Sequence, residues 1–234
     1  MQNEQAPNIT PELLSDYSKA AICNAQDLIA EAKLLLSHKH YARAYFLSVS
    51  SIEEVGKALL SFDSQNRNLS DQAVRSKLKN NFTDHIKKIQ YALCIWGANS
   101  ADPQSALEKA LDLILSLHSG RQPSLYTDLR SNPDRVQLPT NVVRAKASED
   151  CVRLADHCLM YAQKHLREKS PQQFSVAHNR LFVTKEAKFR DILRSEDFWL
   201  YALSEMEGGL HDIAEIFLRY EQAYSKPGKS YDPK

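Results

Sequence analysis

At 234 residues and 26.6 kDa, the chain is long enough to bury a substantial core and stays below the roughly 250–300 residues at which single cores divide. A formal net charge of +1 and a pI of about 7.7 exclude a globally basic nucleic-acid-binding protein and leave only a local patch to hold phosphate. Six glycines against 43% hydrophobic residues, in long stretches rich in Ala, Leu, Lys, Glu and Gln, point to an all-α fold.

The first ten residues, MQNEQAPNIT, have neither a basic start nor an apolar core. No stretch reaches the roughly 18–20 apolar residues of a membrane span, so the expectation is a cytoplasmic protein with no membrane association. Cys23, Cys94, Cys151 and Cys158 form no C-x-x-C pair and fall in helical patterns at apolar or near-apolar positions, which suggests reduced core thiols.

Thr10 followed by Pro11 predicts a helix start, because the hydroxyl caps free amides and the proline presets φ. Leu14, Tyr17, Ala21, Leu28, Ala32 and Leu35 then recur at helical spacing, up to an end near His38 to His40. A second helix is expected from Tyr41 to Phe62, and 63–70 reads as a polar loop. Phe82, Ile86, Ile89, Leu93 and Trp96 step by three and four through a third helical region. Asp102-Pro103 opens a fourth, which ends near Gly120, where glycine suits a left-handed turn. Three prolines then break the periodicity over 121–140. A fifth helix is expected from Thr140 to Lys169, stopped by Pro171, and two or three more from Val176 to Ser225, separated near Ser195 and at Gly208-Gly209. The organisation expected is an antiparallel bundle over 10–169, a helical extension over 170–225 packed on it, and a frayed tail over 226–234.

Three groups of residues bear chemistry. In the second helix, Arg43, Ser50, Glu53, Glu54, Lys57 and Ser61 share one stripe, while apolar and small residues cover about two-thirds of the circumference. That stripe is either a solvated face, where a Glu53–Lys57 pair contributes only about 0.2–0.5 kcal/mol, or part of a site. Gly56, on the apolar side of a helix interior, marks a place where another backbone comes close. In the third region, His85 borders the apolar face with Lys88 one turn on. It is either a structural histidine or the best general-base candidate of the eight histidines. The third group is Arg121, Tyr126 and Asp128 in the break, where an Arg–Asp turn and a phosphate grip are the alternatives.

Taken together, the E-E-x-G-K helix (Glu53, Glu54, Lys57), the D-H-x-x-K segment (His85, Lys88) and R-x-x-x-L-Y-x-D (Arg121, Tyr126, Asp128) resemble the AbiV family of abortive-infection proteins, a branch of the HEPN superfamily. The pattern spans roughly Tyr41 to Asp128. The resemblance implies a HEPN-like helical bundle, a homodimer or a complex with a phage-encoded activator or antitoxin, and a toxin-type role in defence against phage, acting on RNA or the translation machinery. Ribonucleases of that superfamily carry an Arg followed, after four to six residues, by a His. Here Arg121 is followed at that spacing by Tyr126, and no Arg has a His there.

The leading expectation is a metal-independent endoribonuclease in which Arg121 binds phosphate, His85 or Tyr126 exchanges protons, Glu53 and Glu54 orient His85 or Lys57, and Lys57 or Lys88 stabilises charge on the phosphorane. The rival is a non-catalytic module that silences translation or sequesters a partner, with the same residues forming a buried ion-pair network. The chain has no pair of Glu-x-x-His motifs, no P-loop and no Gly-rich dinucleotide motif, so neither a metal nor a cofactor is expected.

Overall fold

A computed structural model describes residues 9–131, 134–224 and 231. The expected frayed tail falls, apart from Tyr231, outside them. The described chain is overwhelmingly helical, and its one sheet has two short strands. None of its helices is long and apolar enough to cross a membrane.

The chain forms two compact units, one of residues 1–65 and 79–172, the other of 66–78 and 173–234. In the first, α1 (Pro11–Ser37) starts as its sequence dictates, with Thr10 Oγ1 accepting from the Leu13 amide at 3.2 Å. A tight turn over His38–His40 returns the chain into α2 (Tyr41–Asp63), so the two helices run antiparallel. Helix α2 is the axis of this unit. Its Val49, Ile52, Val55 and Leu59 meet Ala25 and Ile29 of α1, together with residues of the helices that follow.

Those helices are α4 (His85–Ala98), α5 (Pro103–Arg121) and α7 (Ala145–Glu168). They bring Ile89, Ala92 and Leu93, then Ile114 and Leu117, then Cys151, Ala155, Cys158 and Leu159 to one core. Small residues let the helices approach and tie their backbones together. Ser51 Oγ donates to Ala25 O and Ser18 Oγ to Ala58 O, both at 2.8 Å, and Ser148 Oγ donates to Tyr41 O at 2.9 Å. The expectation that α2 is covered on most sides is borne out.

Several local expectations change. The third helical region is two helices, α3 (Gln72–Thr83) and α4, because Asp84 caps α4 with Oδ1 accepting from the Ile86 and Lys87 amides. Gly120 lies inside α5 with no positive φ, so a left-handed turn is not its reason. A Cβ there would come 2.7 Å from the Tyr45 hydroxyl, so Gly120 lets α5 lie close on α2. The break after α5 holds an antiparallel hairpin, β1 (Asp128–Ser131) with β2 (Asp134–Gln137), in which Leu129 faces Val136. A short α6 (Pro139–Val142) then precedes α7, so the helix expected from Thr140 is interrupted at Val143-Arg144.

The second unit contains α8 (Val176–Val183), α9 (Glu186–Leu193), α10 (Glu196–Glu207) and α11 (Ile213–Tyr224), one helix more than the sequence suggests, with the extra break at Thr184-Lys185. Ile192, Phe198, Tyr201, Ile216, Phe217 and Tyr220 form its core. Residues 66–78 join it. The Arg67 guanidinium stacks between the Phe174 and Phe182 rings at 3.8 and 3.9 Å, and the Asn68 amide donates to Asn179 Oδ1 at 3.2 Å.

The cysteines divide by environment. Cys151 and Cys158 are buried, and burial drives both thiols well above their ordinary range. Cys23 and Cys94 are exposed, against the expectation of four core thiols, although partial desolvation still raises Cys94. Thiolate is the reactive form. Iodoacetamide at pH 8 should therefore add two adducts to the native protein, Cys23 ahead of Cys94, and four after denaturation. Mass spectrometry of the native sample showing three or four would contradict the packing of α7 against α2.

Candidate functional site

The site is built around one carboxylate. Glu53 lies in the middle of α2, on the side covered by α4 and α5, and is 4% exposed. An ionised carboxylate cannot stay there without cationic partners. It has three. His85 Nδ1 lies 2.7 Å and Lys88 Nζ 2.9 Å from Oε2, and Arg121 Nε lies 3.1 Å from Oε1.

Local sequence explains each placement. The Asp84 cap makes His85 the first residue of α4, so its ring projects at a helix end and stays part exposed. Lys88 sits one turn on, on the same flank, and is 4% exposed. Arg121 is the last residue of α5, not a loop residue. Gly56 closes the arrangement. It follows Glu53 by three residues on α2, and a Cβ there would fall 1.9 Å from the Lys88 carbonyl oxygen. Only glycine lets α4 come near enough for Lys88 and His85 to reach Glu53.

The geometry fixes the proton arrangement at His85. A carboxylate only accepts, so Nδ1 carries the proton and donates it to Glu53. Lys88 Nζ also lies 3.3 Å from Nδ1, but with that lone pair gone the ammonium bonds Glu53 and not the ring. Nε2, the other ring nitrogen, takes no part in that bond. The Arg121–Glu53 contact is an ion pair without the alignment of a hydrogen bond, since both Nε and Oε1 are buried and lack a hydrogen-bond partner among the described residues. Lys88 and Arg121 together outweigh the Glu53 charge, which leaves the cluster net positive.

This cluster forms one wall of a cleft of about 640 Å³ lined by His85, His118, Ser119, Arg121, Gln122, Pro123, Tyr126, Thr127 and Asp128. His85 from one sequence segment and Arg121, Tyr126 and Asp128 from another thus share one space. Tyr126 is exposed, and Asp128, at the start of β1, has Oδ1 accepting from the Leu129 amide at 2.8 Å. Glu54 and Lys57 do not join the cleft. Lys57 pairs with Glu54, not with Glu53 as the i,i+4 spacing suggested, because Glu53 is already held by α4 and α5.

His118 was not singled out from the sequence. It stands three residues before Arg121, one turn back on the same face of α5, and its ring centre is 6.5 Å from that of His85. That i,i+3 spacing to a candidate phosphate-binding Arg was the available signal. The described residues hold no group of three or more His, Cys, Asp or Glu side chains placed to bind a metal ion.

Among curated proteins and solved structures, none matches the chain. A family model does: the one described as AbiV, a HEPN family, matches residues 13–160. The match covers well over half the sequence, including every member of the Glu53 cluster and the whole lining of the cleft. The chain belongs to the AbiV family of the HEPN superfamily.

Proposed function

We propose that this protein is an abortive-infection effector of the toxin type that cleaves RNA without a metal ion, at the cleft between α4, α5 and the loop leading to β1. The observation that carries the reading is His85 held by a buried carboxylate through Nδ1, with Nε2 left on a ring that lines the same cleft as Arg121. A carboxylate that fixes the tautomer of a histidine prepares its other nitrogen to take a proton.

In this reading, Arg121 holds the scissile phosphate. Its Nε lies against Glu53 and its two terminal nitrogens have no hydrogen-bond partner among the described residues, so they supply the fork that suits phosphate oxygens. His85 Nε2 takes the proton from the 2′-hydroxyl of RNA, and the 2′-oxygen attacks phosphorus. Charge gathering on the phosphorane meets the net positive cluster. Lys88, buried behind His85, acts through the field and through Glu53, not by contact. Tyr126, exposed at the rim, offers a stacking face to a base. A second copy of the chain would dock on the hairpin, whose cross-strand neighbours Leu129 and Val136 are 80% and 56% exposed.

Arg121→Ala and His85→Ala should each lower RNA cleavage by about 10²–10⁴-fold, with circular dichroism and thermal melting close to wild type. Growth arrest in cells should fall with them. The second reading, a non-catalytic module that silences translation, draws on the depth at which Glu53 and Lys88 are buried, since such a network also serves to fix helix register. It predicts no turnover by any variant or by wild type, and growth arrest that declines in step with melting temperature.

A further inference from the structure

We propose that His118 is the general acid of the cleft, the partner that protonates the leaving 5′-oxygen while His85 deprotonates the 2′-hydroxyl. The inference rests on the RNA-cleavage reading above and adds its second proton-transfer group. Transesterification at phosphorus needs a base on the attacking oxygen and an acid on the leaving one, at opposite ends of an in-line displacement. One histidine cannot stand at both ends in the same step.

The cleft supplies two. His85 and His118 come from different helices, α4 and α5, with ring centres 6.5 Å apart and planes tilted by 36°. Both rings line the one cleft, with Arg121 one turn from His118 to hold the non-bridging oxygens of a phosphate. The two rings also have unlike surroundings. His85 is tied through Nδ1 to Glu53, which favours the role of an oriented base. His118 is exposed and has no hydrogen-bond partner among the described residues, so both ring nitrogens are open to a ligand. Of the neighbouring charged groups, Lys88 and Arg121 are engaged with Glu53, and Asp128 Oδ1 accepts from the Leu129 amide. Among the remaining lining residues, the Tyr126 phenol is the alternative acid.

The balance closes without a co-reactant. The 2′-hydroxyl proton passes to His85 Nε2, the O2′–P bond forms and the P–O5′ bond breaks, and the leaving oxygen takes a proton from a ring N–H of the His118 imidazolium. The products are a 2′,3′-cyclic phosphate and a 5′-hydroxyl. Each ring is left in the protonation state the other began with, and solvent restores both. The arrangement also accounts for the missing Arg-then-His spacing: in this chain the histidine precedes the arginine, as His118-x-x-Arg121.

The test uses two RNA substrates of one sequence, one with the natural 5′-oxygen at the scissile bond and one with sulfur in its place, since a thiolate leaves without being protonated. The full-length wild type, His118→Ala and His85→Ala are compared. The expected result is a 10²-fold or greater loss on the oxygen substrate for both variants, restoration to within a few-fold of wild type on the sulfur substrate for His118→Ala, and no restoration for His85→Ala. Equal losses on both substrates for His118→Ala would make His118 a binding or positioning residue and overturn the proposal, as would no loss on either. Restoration by sulfur in Tyr126→Ala instead would move the acid to Tyr126. If wild type cleaves neither substrate, the RNA-cleavage reading itself fails, and this inference with it.

Discussion

Glu53→Gln should lower the stability of the protein by about 3–5 kcal/mol, the cost of leaving buried charge without its counterion, and its melting temperature by on the order of 10 °C. The side chain keeps its size and shape, so the loss is electrostatic. Glu53 is 6% exposed as a side chain and Lys88 5%, and a neutral amide cannot balance Lys88 and Arg121 together. An exposed pair would be worth well under 1 kcal/mol, so the size of the effect decides whether the cluster is truly out of water. Lys88→Met should be similarly costly. The double variant Glu53→Gln/Lys88→Met should lose less than the sum, because neither partner then remains to be buried unpaired. Equilibrium denaturation of the four proteins measures this directly; additive losses, or a Glu53→Gln effect below about 1 kcal/mol, would contradict the geometry.

Gly56→Ala should cost as much or more, although alanine is the better helix former by about 0.5–1 kcal/mol. On an exposed helix face the change would stabilise. Here the new methyl would fall 1.9 Å from the Lys88 carbonyl oxygen and 2.5 Å from its carbonyl carbon, and backbone cannot turn aside as a flexible side chain can. Either α4 moves away, which withdraws Lys88 and His85 from Glu53, or the helices separate around Ile89 and Leu93. Overpacking alone costs typically about 1–3 kcal/mol, and the broken ion cluster adds to it. Gly120→Ala is the internal comparison. Its contact is the Tyr45 hydroxyl, the far end of a side chain held by a 3.3 Å bond to Ser116 O, so a modest loss is expected. Thermal melts ranking Gly56→Ala no worse than Gly120→Ala would remove the close approach as the device that assembles the site.

Much of this was legible in the chain itself. Helix spacing and capping at Thr10-Pro11 and Asp102-Pro103 mark α1 and α5 because those signals are local. The all-α reading follows from the near absence of alternating patterns. Asp84 was equally readable as a cap, yet the continuous three-and-four spacing across Phe82 and Ile86 hid the break. The hairpin was hidden because four-residue strands around prolines carry too little pattern to register. At the site, the motifs containing Glu53, His85, Lys88 and Arg121 stood out, and Gly56 pointed to a close backbone approach.

What the sequence could not give was pairing. Spacing along one helix suggested Glu53 with Lys57, but α4 and α5 claim Glu53 through tertiary contact and Lys57 turns to Glu54. His118 was missed for a related reason: its relation to His85 crosses two helices and exists only once both pack on α2.

The most direct test of the central claim, that the Glu53-held His85 and Arg121 act on RNA without metal, is to incubate purified protein with total RNA and transfer RNA in EDTA and analyse the new ends. The account predicts cleavage that leaves 2′,3′-cyclic phosphate and 5′-hydroxyl termini and that is lost in folded Arg121→Ala and His85→Ala proteins. Intact RNA under these conditions, with growth arrest in cells still dependent on Arg121 and His85, would contradict it and make the cleft a binding site.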